Sequence, residues 1–256
     1  VSSHPELHGL RIGCVGYLNA RPLIHAYEGE VMFDHPSRLA AALANGELDL
    51  ALVPTFELFA KAGYKAVDGV SISSAGPVFS VFLAYRGRLG ELTEIATDPS
   101  SLTSSMLLRC ILPEHHGLNP RWVSGEAGEA RLLIGNQAIA FRQQHGRDFQ
   151  FLDLGEEWTA RTGLPFVFAL WVMRPGLEQS APVARAMRRL KEEGMARLDE
   201  IVAAQSDFEP DFCRKYLGGH IRYELGDPEK RGVDLFRNLL VRHGLLKPGG
   251  SRLEFV

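Results

Sequence analysis

Cysteine is scarce in this chain: 3 in 256 residues, an odd number, with no C-x-x-C spacing. Cys14 lies in a strand pattern, and Cys110 and Cys213 lie in helix patterns. The three read as reduced, buried thiols of a cytosolic protein, and no motif sets one up as a nucleophile. An excess of one charge is missing too. The formal net charge is -3, with no basic run, which removes any global electrostatic case for nucleic acid or an anionic membrane. No apolar run approaches the ~20 residues of a membrane helix. The opening "VSSHPELHGL" has no basic segment followed by an apolar one, so no secretion signal is expected there. There is no Walker loop, no G-x-S-x-G and no H-E-x-x-H. "GCVGYL" lacks the third glycine of a dinucleotide fingerprint. His25, His35, His115 and His116 show no ligand spacing with a third partner, so no metal is expected.

What is present is a steady alternation of strand and helix patterns. "LRIGCV" (10–15) is a short buried strand. "SRLAAALANG" reads as a helix capped by Ser37 and stopped at Asn45-Gly46, followed by the strand "LDLALV" (48–53). "PTFELFAKAG" reads as a short helix with Pro54 at its start. Two long strands near 77–86 and 165–174 bracket a middle unit of short strands and helices. A helix over 179–204 and two further helices follow. This order predicts an α/β fold with mostly parallel sheets. If the chain crosses at the two long strands, it forms two lobes around a cleft, on the plan of a type II periplasmic-binding-protein-like fold. The expected lobes are 1–88 with 172–256, and 89–171.

In α/β sheets ligands gather beyond the carboxyl ends of strands, so those loops carry the candidates. The first is "VGYLNARPL", with Asn19 and Arg21 two residues apart. Asn19 suits a turn as well as a ligand contact, and Arg21 suits a surface ion pair as well as an anion. "PTFE" offers Thr55 and Glu57, the latter a base or a first-turn helix acid. "SSAGPVFS" offers Gly76 and Ser80, which also read as turn punctuation and an ordinary strand serine. "DPSSLTSS" (98–105) runs hydroxyl residues into a helix start, where free N–H groups and the dipole favour a carboxylate or phosphate. Ser101, Thr103 and Ser104 are its candidates, with simple N-capping as the alternative.

Taken in order, "RIGCVGYLNARPL", "GELDLALVPTFEL", "SSAGPVFSVFL", "IATDPSSLTSSMLLR", "LLIGNQAI" and "DLGEEWTARTGLPFVFALWV" resemble the chorismate dehydratases of the futalosine route to menaquinone. The resemblance implies a two-lobed fold working in the cytoplasm on a small molecule, chorismate, without metal or organic cofactor. It implies active-site roles for Asn19 and Ser80, and substrate binding by the hydroxyl loop at Ser101, Thr103 and Ser104. Arg21, Thr55 and Gly76 complete the expected substrate contacts, with Arg21 or the Gly76–Ser80 backbone as a second anion site. Two positions depart from the family pattern: Asn136 stands where Asp is usual, and Leu102 where a basic or polar residue is expected. Two other readings share these residues. One is a sister enzyme of the same route acting on a cyclised futalosine derivative, whose N-terminal motif differs from "YLNARPL". The other is a non-enzymatic small-carboxylate binding protein, which usually carries a signal peptide or a lipid-bearing cysteine.

Overall fold

The computed structural model describes residues 4–97, 101–125, 130–249 and 253–256. In chain order the strands are β1 (Ile12–Cys14), β2 (Val31–Phe33), β3 (Leu50–Pro54), β4 (Lys65–Ser74), β5 (Val81–Tyr85), β6 (Glu94–Thr97), β7 (Arg121–Ser124), β8 (Ala130–Ile134), β9 (Gln150–Asp153), β10 (Phe166–Met173) and β11 (Glu254–Phe255). The helices are α1 (Pro36–Ala44), α2 (Glu57–Ala60), α3 (Leu102–His116), α4 (Gly135–His145), α5 (Leu154–Thr162), α6 (Ser180–Ala196), α7 (Leu198–Ala204), α8 (Pro210–Lys215) and α9 (Asp227–Arg242).

The strands form two sheets. The first has the order β11-β4-β10-β3-β1-β2 and the second β7-β6-β8-β5-β9. β1 pairs parallel to β2 and β3, and β6 parallel to β7 and β8. β5 runs antiparallel to both its neighbours, and so does β10. These two are the crossing strands of a two-lobed α/β fold. The lobe limits expected from sequence need correction here. β5, placed in the first lobe, pairs with β8 and β9 of the second sheet; β10, mostly placed in the second, pairs with β3 and β4 of the first. A crossing strand must satisfy its backbone groups in the sheet it enters. The chain therefore changes sheets before β5, through 75–80, and again before β10.

Three local differences have plain causes. Pro54 ends β3 rather than starting a helix: it sits opposite Ala169, and the Thr55 N–H extends the ladder to the Phe168 carbonyl at 3.1 Å. The helix there is only α2. The loop after β1 is not extended: Leu18–Leu23 wind into a 3-10 turn with Pro22 inside it. The helix expected over 179–204 breaks at Arg197 into α6 and α7. Just before the break, Gly194 backs onto the Pro22 carbonyl, where any Cβ would collide with it. Glycine permits that contact and weakens the helix.

The core is continuous across both lobes. Trp158 of α5, Phe166 of β10 and Phe236 of α9 meet edge to face, Phe166 lying 5.1 Å from Trp158 and 5.0 Å from Phe236. They lock the returning strand between helices. All three cysteines are buried and free. Desolvation pushes the Cys14 and Cys110 thiols up to about 12, so they stay protonated and unreactive.

Candidate active site

Loops following parallel strands of both sheets converge on one cavity. It encloses about 530 Å³ of empty space, its open mouth included. Val15, Tyr17 and Asn19 enter it from the loop after β1, and Val53 and Pro54 from the end of β3. Ser101, Leu102, Thr103 and Ser104 enter from the head of α3, and Ile134 and Gly135 from the end of β8. Phe168 and Ala169 of β10 and Val81 of β5 contribute to the remaining wall. Tyr17 is the only titratable side chain among the described lining residues; there is no Asp, Glu, His, Lys or Arg.

Two hydrogen bonds join the lobes across this space. The Leu18 N–H donates to Asn136 Oδ1 at 2.9 Å, and the Phe56 N–H donates to Thr103 Oγ1 at 3.0 Å. Asn136 is one of the departures from the family pattern, and here its amide oxygen holds the first loop. Beside it, Gly135 has φ +66°, and a Cβ there would lie 2.9 Å from the Tyr17 ring. Glycine lets the two loops approach.

Asn19 is 9% exposed and sits on the cavity wall. Its Oδ1 has no hydrogen-bond partner. Ser101 is buried, its hydroxyl is unpartnered, and it precedes α3. The residues at the start of α3 line the cavity where helix N–H groups lack intrahelical partners, a setting suited to a carboxylate. Asp98, Pro99 and Ser100 lie outside the described residues. Thr55 is fully buried behind Pro54, its hydroxyl also unpartnered. Leu102 makes that part of the wall apolar, in place of the basic or polar group expected.

Three expectations about this site do not hold as stated. Arg21 is exposed and lines a separate depression with His25, Gln205 and Asp207; its guanidinium lies 6.0 Å from the Phe33 ring. It makes no ion pair among the described residues. A 3-10 turn advances about a third of a circle per residue, so Asn19 and Arg21 leave it on different sides. Gly76 is not on the cavity wall; its N–H donates to Thr159 Oγ1 at 2.9 Å. The Gly76–Ser80 backbone is not an open anion site either. Val78 and Phe79 donate their N–H groups to the Asp153 carboxylate at 3.0 and 2.8 Å, so the protein supplies its own anion there. Glu57 takes the second of its two readings, an acid in the first turn of α2: it lies off the cavity wall, half-buried, 3.9 Å from Lys61, and burial raises its pKa.

Ser80 is fully buried at the head of β5. Its Oγ accepts a 2.7 Å hydrogen bond from the Tyr216 hydroxyl. Burial pushes the Tyr216 phenol well up, against hydrogen bonds to Ser80 and Asn19, and it stays neutral. The preceding residue, Phe79, has φ +67°, a strained conformation for a side chain of this size. Its surroundings hold it there. Asp153 also accepts from Gly155 and Glu156, capping α5, and pairs with Arg142, whose guanidinium lies 4.4 Å from the Phe79 ring. Tyr216 and Asp153 were missed by the sequence reading. The only local signal at Tyr216 is the following Gly218-Gly219 pair, and Asp153 looks like any helix cap.

Comparison with known proteins places this geometry. A family model described as menaquinone biosynthesis matches residues 10–242. The chain is 31% identical to a chorismate dehydratase of Thermus thermophilus, over 90% of this chain and 94% of that protein. It is 28% identical to a chorismate dehydratase of Campylobacter jejuni, over 60% of this chain and 58% of that one. Among solved structures, an Archaeoglobus fulgidus protein superposes with a TM-score of 0.76 at 15% identity, covering 93% of this chain and 100% of that one. The alkanesulfonate-binding protein SsuA of Xanthomonas axonopodis pv. citri, bound to MOPS, superposes with a TM-score of 0.67 at 15% identity, covering 93% of each chain. At these identities the structural likeness shows the fold, that of periplasmic binding proteins.

Proposed function

The chain belongs to the menaquinone biosynthesis family, and from that premise we propose that it is a chorismate dehydratase. As a carbon–oxygen lyase it removes water from chorismate to give 3-[(1-carboxyvinyl)oxy]benzoate. The observation that carries this reading is the 31% identity to the Thermus enzyme over nearly the whole of both chains. The chemistry of the cavity agrees with it.

The proton to be lost is on the ring carbon bearing the enolpyruvyl ether. That carbon is conjugated through a double bond to the ring carboxylate, so the anion left behind is delocalised. Departure of the neighbouring hydroxyl then makes the ring aromatic, which supplies a large driving force. Such a reaction needs positioning and hydrogen bonding more than a strong acid. Among the described residues the wall carries no carboxylate, imidazole or ammonium side chain, which suits it. The base is the substrate's own enolpyruvyl carboxylate, held beside the proton it removes. That proton and the departing hydroxyl leave together as water.

The head of α3, with Ser101, Thr103 and Ser104, binds one substrate carboxylate. Asn19, on the wall, and Ser80, at the head of the strand whose Val81 lines the cavity, serve the departing hydroxyl. No metal or organic cofactor enters this scheme. The described residues include no helix long and apolar enough to cross a membrane. We place the protein in the cytoplasm, where free buried thiols are ordinary.

The test is incubation of the purified protein with chorismate, following ultraviolet absorbance for the appearance of a benzoate. Turnover is expected. Saturable binding of chorismate without turnover would favour a small-carboxylate binding protein instead.

A further inference from the structure

Three side chains far apart in sequence meet beside the cavity: Asn19, Ser80 and Tyr216. The Tyr216 hydroxyl donates to Ser80 Oγ at 2.7 Å, and hydrogen bonding from Asn19 helps hold down the pKa of the same phenol against the effect of burial. Asn19 Oδ1 has no partner. The consistent arrangement turns the amide nitrogen to the phenol oxygen and leaves the amide oxygen for the cavity. The phenol proton is then committed to Ser80, so the Ser80 proton is directed elsewhere. Ser80 does not itself line the cavity, and Tyr216 is its link to the residue that does.

The segment carrying Tyr216 is built to hold this geometry. Residues Tyr216–His220 form a π-helical turn following α8, a widened form frequent at functional sites. Phe212, one turn earlier, stacks on Tyr216 with ring centroids 5.7 Å apart and also packs at 5.1 Å against the strained Phe79. At the far end of the turn, His220 Nδ1 donates to the Pro77 carbonyl at 2.9 Å. The turn therefore grips both ends of Pro77–Ser80.

We propose that Tyr216 is a positioning residue of the dehydration site, fixing the amide orientation of Asn19 and the direction in which Ser80 donates. Asn19 then presents an acceptor to the substrate, which suits a hydroxyl and disfavours a carboxylate. The substrate's ring hydroxyl faces Asn19, and its carboxylates lie elsewhere. This inference rests on the dehydratase reading.

The test is a double-mutant cycle in chorismate turnover, with wild type, Tyr216→Phe, Ser80→Ala and the double variant. Phe keeps the ring stacked on Phe212 and removes only the hydroxyl. Misplacement of reacting groups costs up to about 10²-fold, so Tyr216→Phe is expected to lower kcat by about 10–100-fold and leave KM within about threefold. In the Ser80→Ala background the same change should cost clearly less than in the wild type, because one of the two groups it positions is gone and only its effect on Asn19 is left. An equal loss in both backgrounds, or a folded Tyr216→Phe variant with wild-type kcat, overturns the inference. If Tyr216→Phe does not fold, 3-fluorotyrosine at 216 keeps the hydroxyl and strengthens it as a donor. A changed kcat at constant KM then supports the inference, and an unchanged kcat overturns it. Absence of turnover by the wild type refutes the dehydratase reading itself and takes this inference with it.

Discussion

Thr103→Val isolates the hydrogen bond that joins the lobes at the head of α3. Valine matches threonine in shape and removes only the hydroxyl. In the structure that hydroxyl accepts the Phe56 N–H at 3.0 Å, and Thr103 is 3% exposed. Without it, the N–H is left unsatisfied only while the lobes are together; when they separate, water replaces the lost partner. The cost therefore falls on the closed, ligand-holding form. An unsatisfied buried donor costs about 1–3 kcal/mol, and Phe56 is half-buried, so about 1–2 kcal/mol applies. That is a factor of about 5–30 in the closing equilibrium. In the proposed scheme the same hydroxyl also faces the substrate carboxylate, which is present in ground and transition states alike. Both effects raise KM and spare kcat. Steady-state kinetics on chorismate, with a thermal melt of each protein, provides the assay. Thr103→Ser, which keeps the oxygen, should stay near wild type. A fall in kcat at unchanged KM would refute the reasoning and move this residue from binding to chemistry.

Ser80→Ala should lower kcat by about 10²-fold or more while product affinity, read by calorimetry, stays nearly intact. Glu57→Gln should leave kcat within about threefold, because its carboxylate lies off the cavity wall beside Lys61 and the proposed base is the substrate's own carboxylate; loss of turnover with retained affinity would make Glu57 the base. Asp49, 8% exposed, is held well below the usual carboxylate range, first by the hydrogen bond from Arg11 and also by Arg174. A lowered folded-state pKa stabilises the fold above the unfolded value of about 3.9 and loses that contribution as pH falls toward the folded value. Asp49→Asn should thus cost about 1–3 kcal/mol in urea melts at pH 7, and the gap from wild type should narrow below about pH 4; a gap independent of pH would contradict the ion-pair account.

Much of the site was legible because strand ends were. The strands ending in Val15, Val53 and Ile134 and the helix entered at Ser101 each announce themselves by a short apolar run or a hydroxyl cluster. The rule that ligands gather at strand ends then marks Asn19, Thr103 and Ser104, and all three line the cavity. Arg21 was misjudged because its loop tightens into a 3-10 turn, which rotates it away from Asn19; nothing in "NARPL" distinguishes that turn from an extended loop. Gly76–Ser80 has the glycine and the free-looking N–H groups of an anion nest. Its anion is Asp153, 74 and 75 residues on from the two donors, and such a partner is invisible without the fold. Tyr216 is the extreme case, since its hydrogen bond to Ser80 spans 136 residues. Both crossing strands were found. Their sheet membership was not, because an apolar run carries no record of which sheet completes its hydrogen bonds.

The central claim is that the cavity holding Asn19 dehydrates chorismate. Its most direct test is product identification by mass and proton NMR for wild type and Asn19→Ala, assayed side by side with matched thermal melts. The account predicts that the wild type converts chorismate to 3-[(1-carboxyvinyl)oxy]benzoate with loss of one water. It predicts that folded Asn19→Ala does so about 10²-fold more slowly, through lost positioning of the ring hydroxyl. A wild type that leaves chorismate unchanged, or an Asn19→Ala variant with undiminished kcat, would contradict it.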